Sequence, residues 1–119
     1  MSETITYREA VRLGISEAMQ KDERVFMMGE DVGRWGSLYR SSTGLLEEFG
    51  PDQIKDAPIS EAAIAGCGVG SAVMGMRPIV EIMLVDFIGV AMDAVLNHMA
   101  KIEKFSGGKW NVPLVIRAA

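Results

Sequence analysis

The run Ile79 to Val85, IVEIMLV, is apolar at odd and even positions alike, with Glu81 as its one exception. A half-exposed strand alternates apolar and polar residues, whereas a strand apolar on both faces is covered from both sides, as in a parallel sheet between helices. Val25 to Met28 and Val112 to Ile116 read as further buried strands, and Ile54 to Ala57 as a short extended segment leading into Pro58. Parallel strands need long crossovers, and the intervening sequence supplies helical patterns. Thr6 to Lys21 places Tyr7, Ala10, Val11, Gly14, Ile15, Ala18 and Met19 at helical spacing, with Thr6 and Glu9 spaced as a capping box. Ala62 to Gly75 is small or apolar on every face, which predicts a helix buried on several sides behind an N-cap at Ser60. Phe87 to Phe105 predicts one more helix, with Ala91, Val95, Met99 and Ile102 inward and Asp93, Asn97, Lys101 and Lys104 outward. The expected fold class is α/β, a mostly parallel sheet with helices on both faces. Because the sequence stops directly after a strand, residues 1–119 are expected to be an incomplete domain, the front portion of a longer polypeptide.

Of the 119 residues, 49% are hydrophobic, rich for so short a chain, so part of the surface is expected to face a partner. The net charge is -4 and the twelve Lys and Arg residues are scattered, which excludes the basic stripe of a nucleic-acid binder. Cys67 is the sole cysteine and reads as a buried thiol in a reducing compartment. No run reaches the roughly 18 apolar residues of a membrane span, and the N-terminal MSETITYREA does not read as a leader, so a cytoplasmic location is expected, with no membrane contact.

In open α/β sheets, ligands bind outside the carboxyl ends of the strands. That rule selects Glu30 with Asp31, then Ile59 to Glu61, then Asp86 with Phe87. Asp31 and Asp86 read as solvated loop carboxylates. Glu61, between Ile59 and the small residues Ala62 to Ala65, is the candidate for a dry crevice and for chemistry. The segment Gly33 to Gly44, GRWGSLYRSSTG, is a loop anchored by Trp35 and Tyr39, and Thr43 is placed to cap a short helix ending at Gly50 and Pro51. GCGVGS lacks the spacing and the strand-to-helix setting of a dinucleotide loop, so Gly66, Gly68 and Gly70 read as helix-packing glycines. His98 has no ligand set around it, and no residue is assigned to a metal. The nine methionines read as core and contact filler.

The succession GEDVG (29–33), Tyr39, TGL (43–45), DAPISEAAIAG (56–66), G-x-RPIVE-x-M (75–83), DF (86–87), SGG (106–108) and VP-x-V-x-R (112–117) resembles the β subunit of the thiamine-diphosphate-dependent 2-oxo acid dehydrogenases, their E1 component. The resemblance covers essentially the whole chain and implies a transketolase-type pyrimidine-binding domain. It implies that Glu61, the glutamate of the P-I-S-E motif, hydrogen-bonds N1′ of the cofactor's aminopyrimidine and exchanges a proton with it. By the same resemblance Phe87 would stack on the pyrimidine, Ile59 would contact its amino edge through the backbone, and Glu30 would join the acidic groups near the cofactor. The implied reaction is decarboxylation of a 2-oxo acid, or cleavage of acetoin, with the acyl fragment passing to a lipoyl group on an E2 partner.

The diphosphate and its Mg2+ are held in this family by the α subunit through a G-D-G motif that this chain lacks. The implied assembly is an α2β2 heterotetramer, in which this chain contributes half of a split site and shows no turnover alone. Ser37 stands where relatives often carry a second glycine beside Gly36, and Val90, Ala94, His98 and Met99 also depart from the common pattern. Gly89 and Val90 favour the acetoin branch and leave the substrate open, and the family's downstream histidine would lie beyond Ala119. Two alternatives are a pyrimidine domain of another thiamine enzyme, such as a transketolase or a deoxyxylulose-phosphate synthase, and a non-catalytic module that contacts other subunits.

Overall fold

A computed structural model describes residues 4–119; the first three residues of the N-terminal stretch read above as lacking a leader lie outside the described residues. Helix α1 (Tyr7–Lys21) is followed by β1 (Val25–Gly29), α2 (Leu45–Phe49), β2 (Ile54–Asp56), α3 (Glu61–Val73) and β3 (Arg77–Ile82). A 3-10 segment (Val85–Ala91), a π segment (Ala94–Met99), α4 (Ile102–Phe105) and β4 (Val115–Ala118) complete the order. The four strands form one sheet in the order β2-β1-β3-β4, and every pair is parallel. Two apolar cores lie on opposite faces. Ile15 and Met19 of α1 meet Val25, Met27 and Ile54 on one face, while Ile64, Ala65, Val69 and Ala72 of α3 meet Val80 and Ile82 on the other. The α/β class and the two-sided covering therefore hold.

Local signals account for the start of α1. The Thr6 hydroxyl accepts from the Glu9 backbone N–H at 3.2 Å, and the Glu9 carboxylate accepts from the Thr6 N–H at 2.9 Å, which completes the capping box. Strand β3 begins earlier and ends earlier than its apolar run suggests, at Arg77 and Ile82, and Val85 is exposed. Pro78 is tolerated inside it for a positional reason. The Arg77 N–H bonds toward β1, so the missing N–H of Pro78 faces the other side, where β4 pairs only from Ile79 onward. Strand β4 likewise pairs three residues later than its pattern, over Val115–Ala118.

Four other expectations are corrected. The Phe87 to Phe105 helix is broken into 3-10, π and α pieces; Gly89 sits in the first, and the Ala100 N–H reaches back five residues to Val95 in the second. Its inward face nonetheless follows the predicted residues, with Ala91 buried and Val95, Met99 and Ile102 partly so. Thr43 does not cap α2, since its hydroxyl donates to the Arg40 carbonyl and Gly44 occupies the N-cap position. Helix α3 is covered on one side only; Ala62, Ala63, Gly66, Cys67 and Gly70 lie on an open face, so the Cys67 thiol is exposed rather than buried. Trp35 and Tyr39 are half-exposed and do not anchor their loop.

The loop is held by polar groups. The Asp56 carboxylate accepts from the backbone N–H groups of Gly33 and Arg34 at 2.6 and 3.1 Å. Ser37, Ser41 and Ser42 are buried; the Ser37 and Ser41 hydroxyls share a 2.8 Å hydrogen bond, and the Ser42 hydroxyl donates to the Val32 carbonyl. Ser37 has φ +66°, a region that favours glycine, and its hydroxyl lies near enough to Glu81 to act on that group's pKa. Glu81 is 2% exposed and sits opposite Arg117 in register, and the Arg117 guanidinium donates to its carboxylate. Burial raises the Glu81 pKa against the opposing pull of Arg117 and Ser37.

Two stability tests follow from this packing. Arg117→Met strands a buried carboxylate and should cost about 3–5 kcal/mol in denaturant unfolding, while Glu81→Leu with Arg117→Met should recover most of it. In α3, a Cβ on Gly68 would lie 2.8 Å from Val80 Cγ1 and 3.0 Å from Leu114 Cδ1, whereas one on Gly66 would meet nothing within 4 Å. Gly68→Val should therefore destabilise by about 1–3 kcal/mol through overpacking. Gly66→Ala should be neutral or stabilising by up to about 1 kcal/mol, since it only improves helix propensity.

Candidate active site

All four strands run the same way, so the segments after their carboxyl ends gather on one rim. Glu30 follows β1 directly. Pro58, Ile59 and Ser60 lead from β2 into α3, whose first residue is Glu61, and Phe87 lies in the 3-10 segment after β3. That segment packs against α3.

Two of these side chains are buried carboxyls. Glu30 is 4% exposed and Glu61 is 8% exposed. The Glu30 Oε1 atom has no hydrogen-bond partner among the described residues although it is shut off from solvent. Loss of solvent is the main cause raising the Glu30 pKa, and the negative charge of Glu61 raises it further, as does that of Asp31. The Ser60 backbone N–H acts in the opposite sense. Glu30 and Glu61 are thus close enough for the charge of Glu61 to raise the Glu30 pKa.

Ser60 occupies the N-cap position, but the expected cap contact is absent. Its φ and ψ are -171° and 66°, and its hydroxyl donates to the Pro58 carbonyl at 2.9 Å instead of reaching into the first turn. Glu61 occupies that first turn, where a carboxylate is favoured by the helix dipole.

The apolar residues selected on the same rim face outward. Ile59 is 84% exposed and Phe87 is 42% exposed, which leaves flat and branched apolar surface beside two buried acids. Asp31 and Asp86 are exposed, as expected of solvated carboxylates, and Asp31 has φ +55°. His98 is exposed, 3.7 Å from Asp93. Among the described residues no group of three or more His, Cys, Asp or Glu side chains is arranged to hold a metal ion. None of the described helices is long and apolar enough to cross a membrane.

Sequence reasoning did not single out Asp56 or the Ser37–Glu81–Arg117 chain, which together fix the loop that follows Glu30. The signal for the second was present: a lone acid in an otherwise apolar buried strand needs a cation, and Arg117 is the charged residue of the neighbouring strand.

The family model described as the transketolase pyrimidine binding domain matches residues 3–119. Over 114 residues the chain is 44% identical to the 2-oxoisovalerate dehydrogenase subunit beta of Bacillus subtilis, covering 96% of this chain and 35% of that protein. Over 113 residues it is 46% identical to the pyruvate dehydrogenase E1 component subunit beta of Rickettsia bellii, covering 95% and 35%. A mitochondrial pyruvate dehydrogenase E1 component subunit beta-1 of Oryza sativa is 45% identical over 113 residues, covering 95% and 30%. The chain therefore spans about a third of the length of the curated relatives it matches.

The carboxyl pair has a pH signature. A carboxyl whose pKa is raised on folding favours the fold below its unfolded value, and that contribution is lost as pH climbs through the folded value. Glu30→Gln should raise the unfolding midpoint at pH 7 and reduce its decline from the ordinary carboxylate range toward neutrality, as read by thermal melts at stepped pH. An unchanged pH profile would mean that Glu30 is not held as described.

Proposed function

Because the chain belongs to the transketolase pyrimidine-binding domain family, we propose that it is the part of an E1 β subunit that holds the aminopyrimidine of thiamine diphosphate and exchanges a proton with it through Glu61. The observation that carries this reading is the pair of buried carboxyls at the sheet's carboxyl-end rim, Glu61 in the first turn of α3 and Glu30 beside it with an unpartnered oxygen. An aminopyrimidine suits such a place. It offers an N–H donor for an orphaned oxygen, a ring nitrogen for a carboxyl, and a flat face for an aromatic side chain.

In this reading Glu61 holds or releases a proton at N1′, acting as a general acid and base from a position shielded from water. Glu30, whose pKa is raised by burial and by the charge of Glu61, would be the second carboxyl beside the cofactor and would offer its unpartnered oxygen to an N–H. Phe87 would stack on the ring, and the backbone at Ile59 would orient the amino group. When bound, thiamine diphosphate supplies the carbanion-stabilising chemistry by which a 2-oxo acid loses carbon dioxide or acetoin is cleaved.

The rest of the assembly belongs to the same proposal. An α subunit supplies the groups for the diphosphate and its Mg2+ in an α2β2 tetramer, and the acyl product passes to a lipoyl-bearing E2. The open, small-residue face of α3 and the exposed Met74 are surface suited to a subunit contact and support a partnered chain. Residues 1–119 form an incomplete domain that would show no turnover alone, and its setting would be the cytoplasm.

The test is Glu61→Gln in the assembled αβ enzyme. Decarboxylation of a 2-oxo acid, or cleavage of acetoin, should fall by about 10²-fold or more, the range for losing a general acid-base group, while thiamine diphosphate is still retained. Activity within a few-fold of the parent enzyme would remove Glu61 from the role.

A further inference from the structure

Across the sheet from Glu61, on the α1 side, a cavity of about 440 Å³ is lined by Arg8, Glu9, Arg12, Arg40 and Thr43. Nothing in the chemistry proposed above uses it. Arg8 and Arg12 are one turn apart on α1 and share a face, and Arg40 comes from the loop after β1, where it is held at φ +59°. Three arginines from two separate elements thus line one cavity.

The neighbouring carboxylates offset them only in part: Glu9 lines the same cavity and feels the charges of Arg8 and Arg12, yet three arginines outnumber it there. Glu9 is committed to the capping box, accepting from the Thr6 N–H and hydroxyl. Arg12 lies 3.9 Å from Glu48, a loose contact, and the Glu48 carboxylate also accepts from Ser16 and Gln20 at 2.9 Å each. Among the described residues, neither Arg8 nor Arg40 forms an ion pair; Arg40 donates one N–H to the Trp35 carbonyl, which leaves most of its fork free. Like charges four residues apart on a helix repel each other, and an anion bridging them removes that repulsion. Arginine forks match the oxygens of phosphate groups, and the cavity has the volume of a small-molecule site rather than of an extended docking surface.

We propose that this cavity is a binding site for a phosphate-type oxyanion, either the free ion or the terminal phosphoryl group of a small phosphate monoester, held by Arg8, Arg12 and Arg40. The site lies on the opposite sheet face from Glu61. Its ligand would brace α1 against the loop that follows Glu30, so occupancy would order that loop.

The experiment uses the full polypeptide in its native assembly, titrated calorimetrically with inorganic phosphate and, separately, with glycerol phosphate, at constant ionic strength set by chloride. Saturable binding at one site per chain is expected, weakened at least tenfold by Arg8→Gln combined with Arg40→Gln. Both side chains are exposed, so the fold should survive; Arg12→Gln alone is a second variant expected to weaken binding. Arg24→Gln is the control, because Arg24 is already paired with Asp22 and lies at the far end of α1, and it should leave affinity unchanged. Tighter binding of glycerol phosphate identifies a monoester ligand, and equal affinity identifies the free ion. Absence of saturable binding, or binding that survives the double substitution, would overturn the proposal, the latter by placing the anion elsewhere in the assembly.

Discussion

Gly68 lets the Val80 and Leu114 side chains lie directly against the backbone of α3, in the space a Cβ would take, and so brings the helix close to the sheet. The position of Glu61 on the rim depends on that close approach. Helix α3 carries Glu61 at its first position, so the depth at which the helix packs sets the depth of the carboxyl. The same contact unites the two later segments of the chain with the sheet, since Ala91 and Ala94 join Ile64, Ala65 and Val69 in one core. A helix held farther away would expose Glu61 to water and weaken its interaction with Glu30. The small residues of α3 on this side are therefore a requirement of the site as well as of the fold.

The two faces of the sheet solve opposite electrostatic problems. On the α1 side, Glu81 is buried with a cation, and Ser37 supplies a further donor, so an internal charge is compensated within the chain. At the rim, Glu30 and Glu61 are buried without a cation among their described partners, and the result is a proton-holding tendency at Glu30 rather than an ion pair. The first arrangement joins β3 to β4 and hooks the loop through a residue in left-handed backbone. The second stores an unmet hydrogen-bonding capacity where a ligand could answer it. One chain thus spends its polar side chains on structure at the Glu81 level and reserves them at the strand ends.

The features readable in the sequence are those set by neighbouring residues. The Thr6–Glu9 capping box, α1, β1 and the helical run of α3 are local patterns, and all four are present. A two-sided apolar strand was enough to give a parallel sheet, and the parallel sheet was enough to bring Glu30, Ile59, Glu61 and Phe87 to one rim. The failures arise from tertiary context. A 3.6-residue period over Phe87 to Phe105 marks which side faces inward, yet it cannot report that the segment changes hydrogen-bond spacing twice. Ser60 has the right residue type for a cap, but its backbone dihedrals turn the hydroxyl back to Pro58. The aromatic residues of the 33–44 loop suggested anchoring, whereas three buried serines and Asp56 hold it. Residue type alone does not show which side of a loop faces in.

The exposure of Cys67 and its neighbours bears on how the chain is to be understood. A helix made of Ala62, Ala63, Gly66, Cys67 and Gly70 on its open face has almost no polar group with which to attract water. Such a face is costly for a chain standing alone and suited to close backbone contact with another protein surface. This surface begins one residue after Glu61, so whatever covers it reaches the edge of the candidate site. Glu61 is buried by the chain itself while this face stays open, so a partner seated on the small-residue face would border a carboxyl pair that the fold has already enclosed.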